Sequence, residues 1–162
     1  MGEPVRQALV AVIGGATCSH QEADWAHQVG RLLAERGVGI VCGGRGGVMA
    51  AVCRGAVEAG GMSVGILPGE STAEANPWVR IALPTGLGEA RNALVVRCGL
   101  GVIAIGGGYG TLSEIALALK AGKRVAGLGT WDIDGVRHVE TPQEAVTYVL
   151  GEVESGTLLD GN

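Results

Sequence analysis

Three times in this chain a short apolar run ends in a glycine cluster and then passes into a helical pattern. Residues 8–13 run into Gly14-Gly15, residues 38–42 into Gly43-Gly44-Arg45-Gly46-Gly47, and residues 101–105 into Gly106-Gly107-Gly108-Tyr109-Gly110. Helical periodicity follows each cluster, over residues 21–36, 48–59 and 111–121. Strands alternating with helices in this way predict a parallel, doubly wound α/β sheet with helices on both faces. Each cluster comes directly after a strand. All three glycine loops therefore gather at one carboxyl edge, where open α/β sheets bind ligands.

The remaining sequence extends the alternation. Residues 63–67 read as a strand, 68–78 as a polar loop, 79–83 as a short strand, 89–98 as a helix and 124–128 as another strand. Asp132-Ile133-Asp134-Gly135 carries the signal of a loop or hairpin. Ser19/Glu22 and Thr141/Glu144 are spaced as capping boxes, the second with Pro142 at the first helical position and a helix to about Leu150. Residues 151–162 are expected to fray. With no repeat, linker or low-complexity segment, residues 1–162 are expected to form a single domain.

Hydrophobic residues make up 47% of the chain, charged residues 17%, and there is no phenylalanine, so Ala, Val, Leu and Ile must fill the core. That suits strands buried on both faces. The net charge is −4 and the only lysines are Lys120 and Lys123, which argues against a nucleic-acid groove. The charge-free run between Arg97 and Glu114 is too short and too broken by glycine to span a bilayer. Residues 1–20 lack a basic segment leading into an unbroken apolar one, so no signal peptide is expected. Cys18, Cys42, Cys53 and Cys98 are widely spaced, as reduced thiols of a cytoplasmic protein would be, without a disulfide frame or zinc site.

The third loop carries the strongest chemical signal. A strand that stops in glycines and opens into a helix presents bare N–H groups at the positive end of a helix dipole, a ready phosphate site. Gly106, Gly107, Gly108 and Gly110 are expected to supply turn conformations closed to other residues and to let an anion approach the backbone. Two familiar phosphate loops are excluded. Gly110-Thr111 lacks the lysine of a P-loop, and the second strand ends at Val41-Cys42 without the acid of a dinucleotide fingerprint. Glu114 reads two ways: Thr111-Leu112-Ser113-Glu114 has capping-box spacing, and the same carboxylate stands one turn into the phosphate helix.

GGGYGTLSE resembles the PGGxGTxxE signature of the Lonely Guy (LOG) family, whose members hydrolyse nucleoside 5′-monophosphates to free base and ribose 5-phosphate. GGRGGVMAAV, residues 43–52, resembles that family's GGGxxGLMG, and Glu89-Ala90-Arg91-Asn92 falls where the family has its arginine segment. The resemblance covers nearly the whole chain and implies a single Rossmann-like domain with Arg91 and Glu114 as catalytic residues. It implies phosphate or ligand contacts at Gly43, Gly44, Gly47, Met49, Asn92, Gly106, Gly107, Gly108, Tyr109, Gly110 and Thr111, and Gly14, Gly15 and Thr17, after the first strand at the same edge, are expected to join them. The family's enzymes place Met-His before the arginine and lysine after it; this chain has Glu89-Ala90 and Asn92. Arg-Asn with a GGG loop is more similar to a shorter branch that includes carriers of the phosphorylated pterin molybdenum cofactor.

Two functions follow as expectations. In a hydrolase, Glu114 would stabilise the positive charge that builds on ribose as the base departs, and Arg91 would steer the ligand or assist the leaving base. In a carrier, the same site would hold a nucleotide or phosphorylated pterin unchanged. The hydrolase is preferred at this point because both matched positions keep their residue type. No cofactor or metal is required by either, and pyridoxal chemistry is disfavoured because Lys120 and Lys123 sit at the far end of the motif helix. Arg91 also fits a surface helix, Arg45 either touches phosphate or is exposed, and Met49 is core or lines a base pocket. His20 and His27 read as surface or capping residues, and Trp25, Trp78 and Trp131 as dispersed. The expected partner is a small phosphorylated ligand, with no nucleic acid or membrane, and the family resemblance implies at least a homodimer.

Overall fold

The computed structural model describes residues 2 and 4–152. The strands are β1 (Leu9–Gly14), β2 (Gly39–Cys42), β3 (Ser63–Leu67), β4 (Ile81–Pro84), β5 (Val102–Ile105), β6 (Val125–Leu128) and β7 (Val136–His138). The helices are α1 (His20–Glu35), α2 (Val48–Glu58), α3 (Arg91–Cys98), α4 (Tyr109–Lys120) and α5 (Pro142–Leu150). All seven strands form one sheet in the order β4-β3-β2-β1-β5-β6-β7, and every neighbouring pair is parallel. The expected doubly wound α/β fold is what the chain adopts.

The core follows from a period of two along the strands. Val10 and Val12 of β1 point to one face, where they pack with Val29 of α1, Val52 of α2 and Val146 of α5. Ala11 and Ile13 point to the other, toward Val95 of α3 and Ile115 of α4. β1, β2, β3, β5 and β6 are covered on both sides, which is why their sequences are apolar almost without interruption.

Several element boundaries depart from the sequence reading. Helix α4 begins at Tyr109, with Gly108 as its N-cap and no side-chain cap, so Thr111 and Glu114 form no capping box. The glycine turn itself delivers the chain in helical geometry two residues earlier than predicted. The box at Ser19 and Glu22 does form, whereas Glu144 reaches back to the Glu140 N–H while Thr141 caps α5. The stretch after Asp132 is no hairpin, because β7 lies parallel to β6. A 3-10 turn, Gly88–Ala90, precedes α3, and β4 is shifted to Ile81–Pro84. Gly151 closes α5 at φ +70°, and Glu152 pairs with Arg36 at 3.1 Å, so these two residues are tied down rather than frayed. The rest of the expected fraying segment, residues 153–162, lies outside the described residues.

Helices α1 and α2 touch backbone to backbone. A Cβ on Gly55 would overlap the His27 carbonyl, and one on Gly30 would lie 2.7 Å from the Ala56 nitrogen. Gly55→Ala gains about 1 kcal/mol of helix propensity but must push the helices apart, at about 1–3 kcal/mol. A net loss of stability is expected. The urea midpoint should fall at unchanged slope, and a midpoint that rises would show that the helices separate at little cost.

Candidate functional site

The strand order reverses between β1 and β5, and the crevice above their carboxyl ends is where an open α/β sheet leaves room for a ligand. A cavity of about 450 Å³ lies there. Gly14 and Gly15 line it from the end of β1, Gly43, Arg45 and Met49 from the second loop and α2, Arg91 and Asn92 from α3, and Gly108, Gly110, Thr111 and Glu114 from α4. Residues from four separate segments thus meet in one place.

The third glycine loop divides its work. Gly106 and Gly107 have φ of +54° and +96°, conformations that other residues rarely adopt. Gly108 and Gly110 do not: their φ is not positive, and a Cβ on either would meet nothing within 4 Å. The expectation of a forced backbone at all four is corrected to two; the other pair keeps space open beside the cavity. The loop is pinned from the end of β6, where Thr130 Oγ1 donates to the Gly106 carbonyl at 2.6 Å and Trp131 Nε1 to that of Gly108 at 3.0 Å. With no side chain capping α4, its first-turn N–H groups stay available to an anion.

Glu114, in the second turn of α4, is only 8% exposed and lines the cavity. Burial pushes its carboxyl up to about 7, and the nearby Arg91 guanidinium offsets part of that rise. Arg91 is held by Asn92, whose Oδ1 accepts from Nη1, and lies 3.5 Å from the Gly43 carbonyl through Nη2. Its Nε is buried with no hydrogen-bond partner among the described residues, and burial lowers its pKa while Glu114 raises it. Gly43 leaves room for this arrangement: a Cβ there would lie 2.8 Å from both Arg91 Nη2 and Met49 Sδ, and these side-chain ends would have to shift. The surface-helix alternative for Arg91 is thereby replaced by a half-buried position facing Glu114.

The other predicted residues divide. Thr17 and Gly107 line an adjoining open groove. Gly44, Gly47, Gly106 and Tyr109 line neither space. Gly44 and Gly47, both at positive φ, pack against Gly65 and Leu67 and against Gly15 and Ala16, so they shape the second loop. Tyr109 is 83% exposed and stacks on Trp131, ring centres 5.9 Å apart, so Trp131 is not isolated. Met49 satisfies both of its readings, in the core and at the cavity. His27 pairs with Glu58 at 2.8 Å, and no cluster of three or more His, Cys, Asp or Glu gathers as a metal site among the described residues. Cys42 and Cys53 are free buried thiols with sulfurs 3.5 Å apart. Among the described residues no helix is long and apolar enough to cross a membrane.

Ala16, Pro68, Gly88 and Glu89 also line the cavity, and Thr130 and Trp131 brace it. None of these six was singled out from the sequence as a site residue. Glu89 adjoins Arg91 in the motif; the others carry no local signal.

A raised carboxyl makes a sign-definite prediction. With Glu114 near 7 when folded and near 4.5 when unfolded, its contribution is fully present below the unfolded value and is lost as pH rises through the folded one. Between pH 5 and pH 8 the native protein should lose about 2–3 kcal/mol that Glu114→Gln does not lose. Urea unfolding of both proteins at the two pH values measures this; parallel pH profiles would mean Glu114 titrates normally.

The comparisons with known proteins agree with this fold. Residues 7–155 match the model of the SLOG cluster4 family. An uncharacterized protein of Archaeoglobus fulgidus is 45% identical over 142 residues, covering 87% of this chain and 93% of that one. The molybdenum cofactor binding protein of the phototrophic bacterium Rippkaea orientalis superposes with a TM-score of 0.83 at 36% identity, covering 88% of this chain and 95% of its own. The molybdenum cofactor carrier protein of Chlamydomonas reinhardtii gives 0.80 at 35%, with the same coverage. Three glycine loops on one sheet edge, the reversal at β1 and β5, and a family match over most of the chain lead to one statement: this chain belongs to the SLOG cluster4 family.

Proposed function

We propose that this chain binds a phosphorylated pterin of the molybdenum cofactor type and holds it without cleaving it. The phosphate sits on the amides of residues 107–111, that of Gly106 being donated to the Leu128 carbonyl, and the ring system reaches toward Arg91 and Glu114. Glu114 carries this reading: a carboxyl only 8% exposed that lines a cavity opening beside bare helix amides, next to Arg91, whose buried Nε has no partner among the described residues. A carboxyl largely removed from water is costly to leave without donors, and a ligand with phosphate at one end and N–H donors at the other supplies them. The donor edge of a pterin meets that requirement. Any metal is part of the cargo, and the contacts come from phosphate and ring. The likeness to the molybdenum cofactor binding and carrier proteins, at 36% and 35% identity, supports the same choice.

A second reading keeps the hydrolase. Arg91 and Glu114 retain the residue types of the catalytic pair and share one cavity, so ionised Glu114 would face the developing charge on ribose. Against it stands Asn92, which occupies Arg91 where the LOG enzymes have lysine. A Glu114 near 7 would also be only half ionised at neutral pH, so turnover would climb as pH rises through 7. In either reading the chain is a homodimer or larger homo-oligomer, which light scattering measures.

The experiment begins by denaturing freshly purified protein and identifying what is released by mass spectrometry. A phosphorylated pterin is expected from the native protein and none from Gly108→Val, whose side chain would enter the space left for the anion while the fold survives. Adenosine 5′-monophosphate should then be bound without release of adenine. Adenine release that falls a hundredfold or more in Glu114→Gln would replace the carrier with the hydrolase.

A further inference from the structure

Two helix N-termini open at the same sheet edge, and they are treated in opposite ways. Helix α4 begins with no side-chain cap. Helix α1 begins at the adjoining groove with its own carboxylate in place: Glu22 accepts from the Ser19 N–H while Ser19 Oγ caps the Glu22 N–H at 3.1 Å. That carboxylate also lies against the anion turn. A Cβ built on Gly106 would be 2.6 Å from the Glu22 carboxyl carbon. The groove is lined by Gly15, Ala16, Thr17, Cys18, Ser19, Glu22, Gly107 and Gly108, and shares Gly15, Ala16 and Gly108 with the main cavity. Both arginines, Arg45 and Arg91, line the cavity and none lines the groove.

We propose that Glu22 is a specificity-determining residue that makes this site accept a phosphomonoester and reject a diphosphate. This inference rests on the reading that the turn at residues 106–111 takes the ligand's phosphate. A phosphate there, with its ester oxygen leading into the cavity, turns its free oxygens to the groove. A second phosphate extending that way meets a carboxylate, finds no cation, and finds the α1 dipole already neutralised by Glu22. A monophosphate ends before it reaches that charge. The glycine turn alone would not discriminate, since helix N-termini attract anions of any length.

The test is calorimetric titration of native protein, Glu22→Gln and Gly108→Val with adenosine 5′-mono- and diphosphate without divalent ions, repeated with phosphate and pyrophosphate. Native protein is expected to prefer the monophosphate of each pair. Glu22→Gln keeps an acceptor for the Ser19 N–H but no charge, so it should raise diphosphate affinity roughly tenfold relative to monophosphate. That gain should shrink as salt rises. A merely structural role would change both affinities together. An unchanged ratio in Glu22→Gln, or a native protein that binds both members equally, overturns the inference while leaving the phosphate turn intact. Monophosphate binding that survives in Gly108→Val, or no binding of any of the four anions, overturns the phosphate turn itself and this inference with it.

Discussion

The structure depends on a single topological constraint, the reversal of strand order between β1 and β5. From β1 the chain winds outward through β2 and β3 to β4, then crosses back to β5 on the other side of β1. The loops leaving β1 and β5 therefore diverge onto opposite faces, α1 to one and α4 to the other, and a crevice must open between them. The parallel pairing forces every strand-to-helix loop to the same edge as that crevice. Glycine at these loops follows from the crowding there: a Cβ on Gly14 would lie 2.6 Å from the Ile105 carbonyl and 2.7 Å from Val48. Packing and ligand space are set by the same small residues.

The fold was legible because its signals are local and repeated. Period-two burial, glycine punctuation and alternation with helices each act over a few residues, and together they leave one sheet type. β7 was missed because three residues, Val136–His138, carry too little alternation to stand out, and only pairing with β6 makes them a strand. The second capping signal shows a different limit. The Ser/Thr-x-x-Glu spacing occurs at residues 19–22, 111–114 and 141–144, yet Ser19 and Thr141 cap a helix and Thr111 does not. What separates them is where the helix starts, and Gly106 and Gly107 at positive φ decide that, not Thr111.

The site was legible where backbone and motif coincide and obscure where distant segments meet. Arg91 and Glu114 were found from the order of motifs along the chain. That Arg91 is tied to Asn92, and that Gly43 lacks a Cβ to make room for it, are facts of packing between α3 and the loop after β2. Thr130 and Trp131 illustrate the same limit. They brace the glycine turn from the end of β6, some twenty residues on in the chain, and only the β5–β6 pairing brings them near. Tyr109, by contrast, was drawn into the ligand set by its place inside the motif, whereas its ring stacks outward on Trp131.

Charge placement ties these observations together. The cavity holds two arginines, Arg45 and Arg91, against the exposed Glu89 and the buried Glu114. Burial moves the two central groups toward neutrality, lowering Arg91 and raising Glu114, while each opposes that shift in the other. Arginine nonetheless stays protonated at neutral pH, so of these two groups only Glu114 changes its charge there. The α4 end of the cavity is different, since its amides are permanent partial charges that no proton can cancel. On the proposed carrier reading, an anchor independent of pH stands beside a single carboxyl that adapts its protonation to the ligand. Oxocarbenium stabilisation would call for a carboxylate kept ionised, and the desolvation that raises Glu114 works against that state.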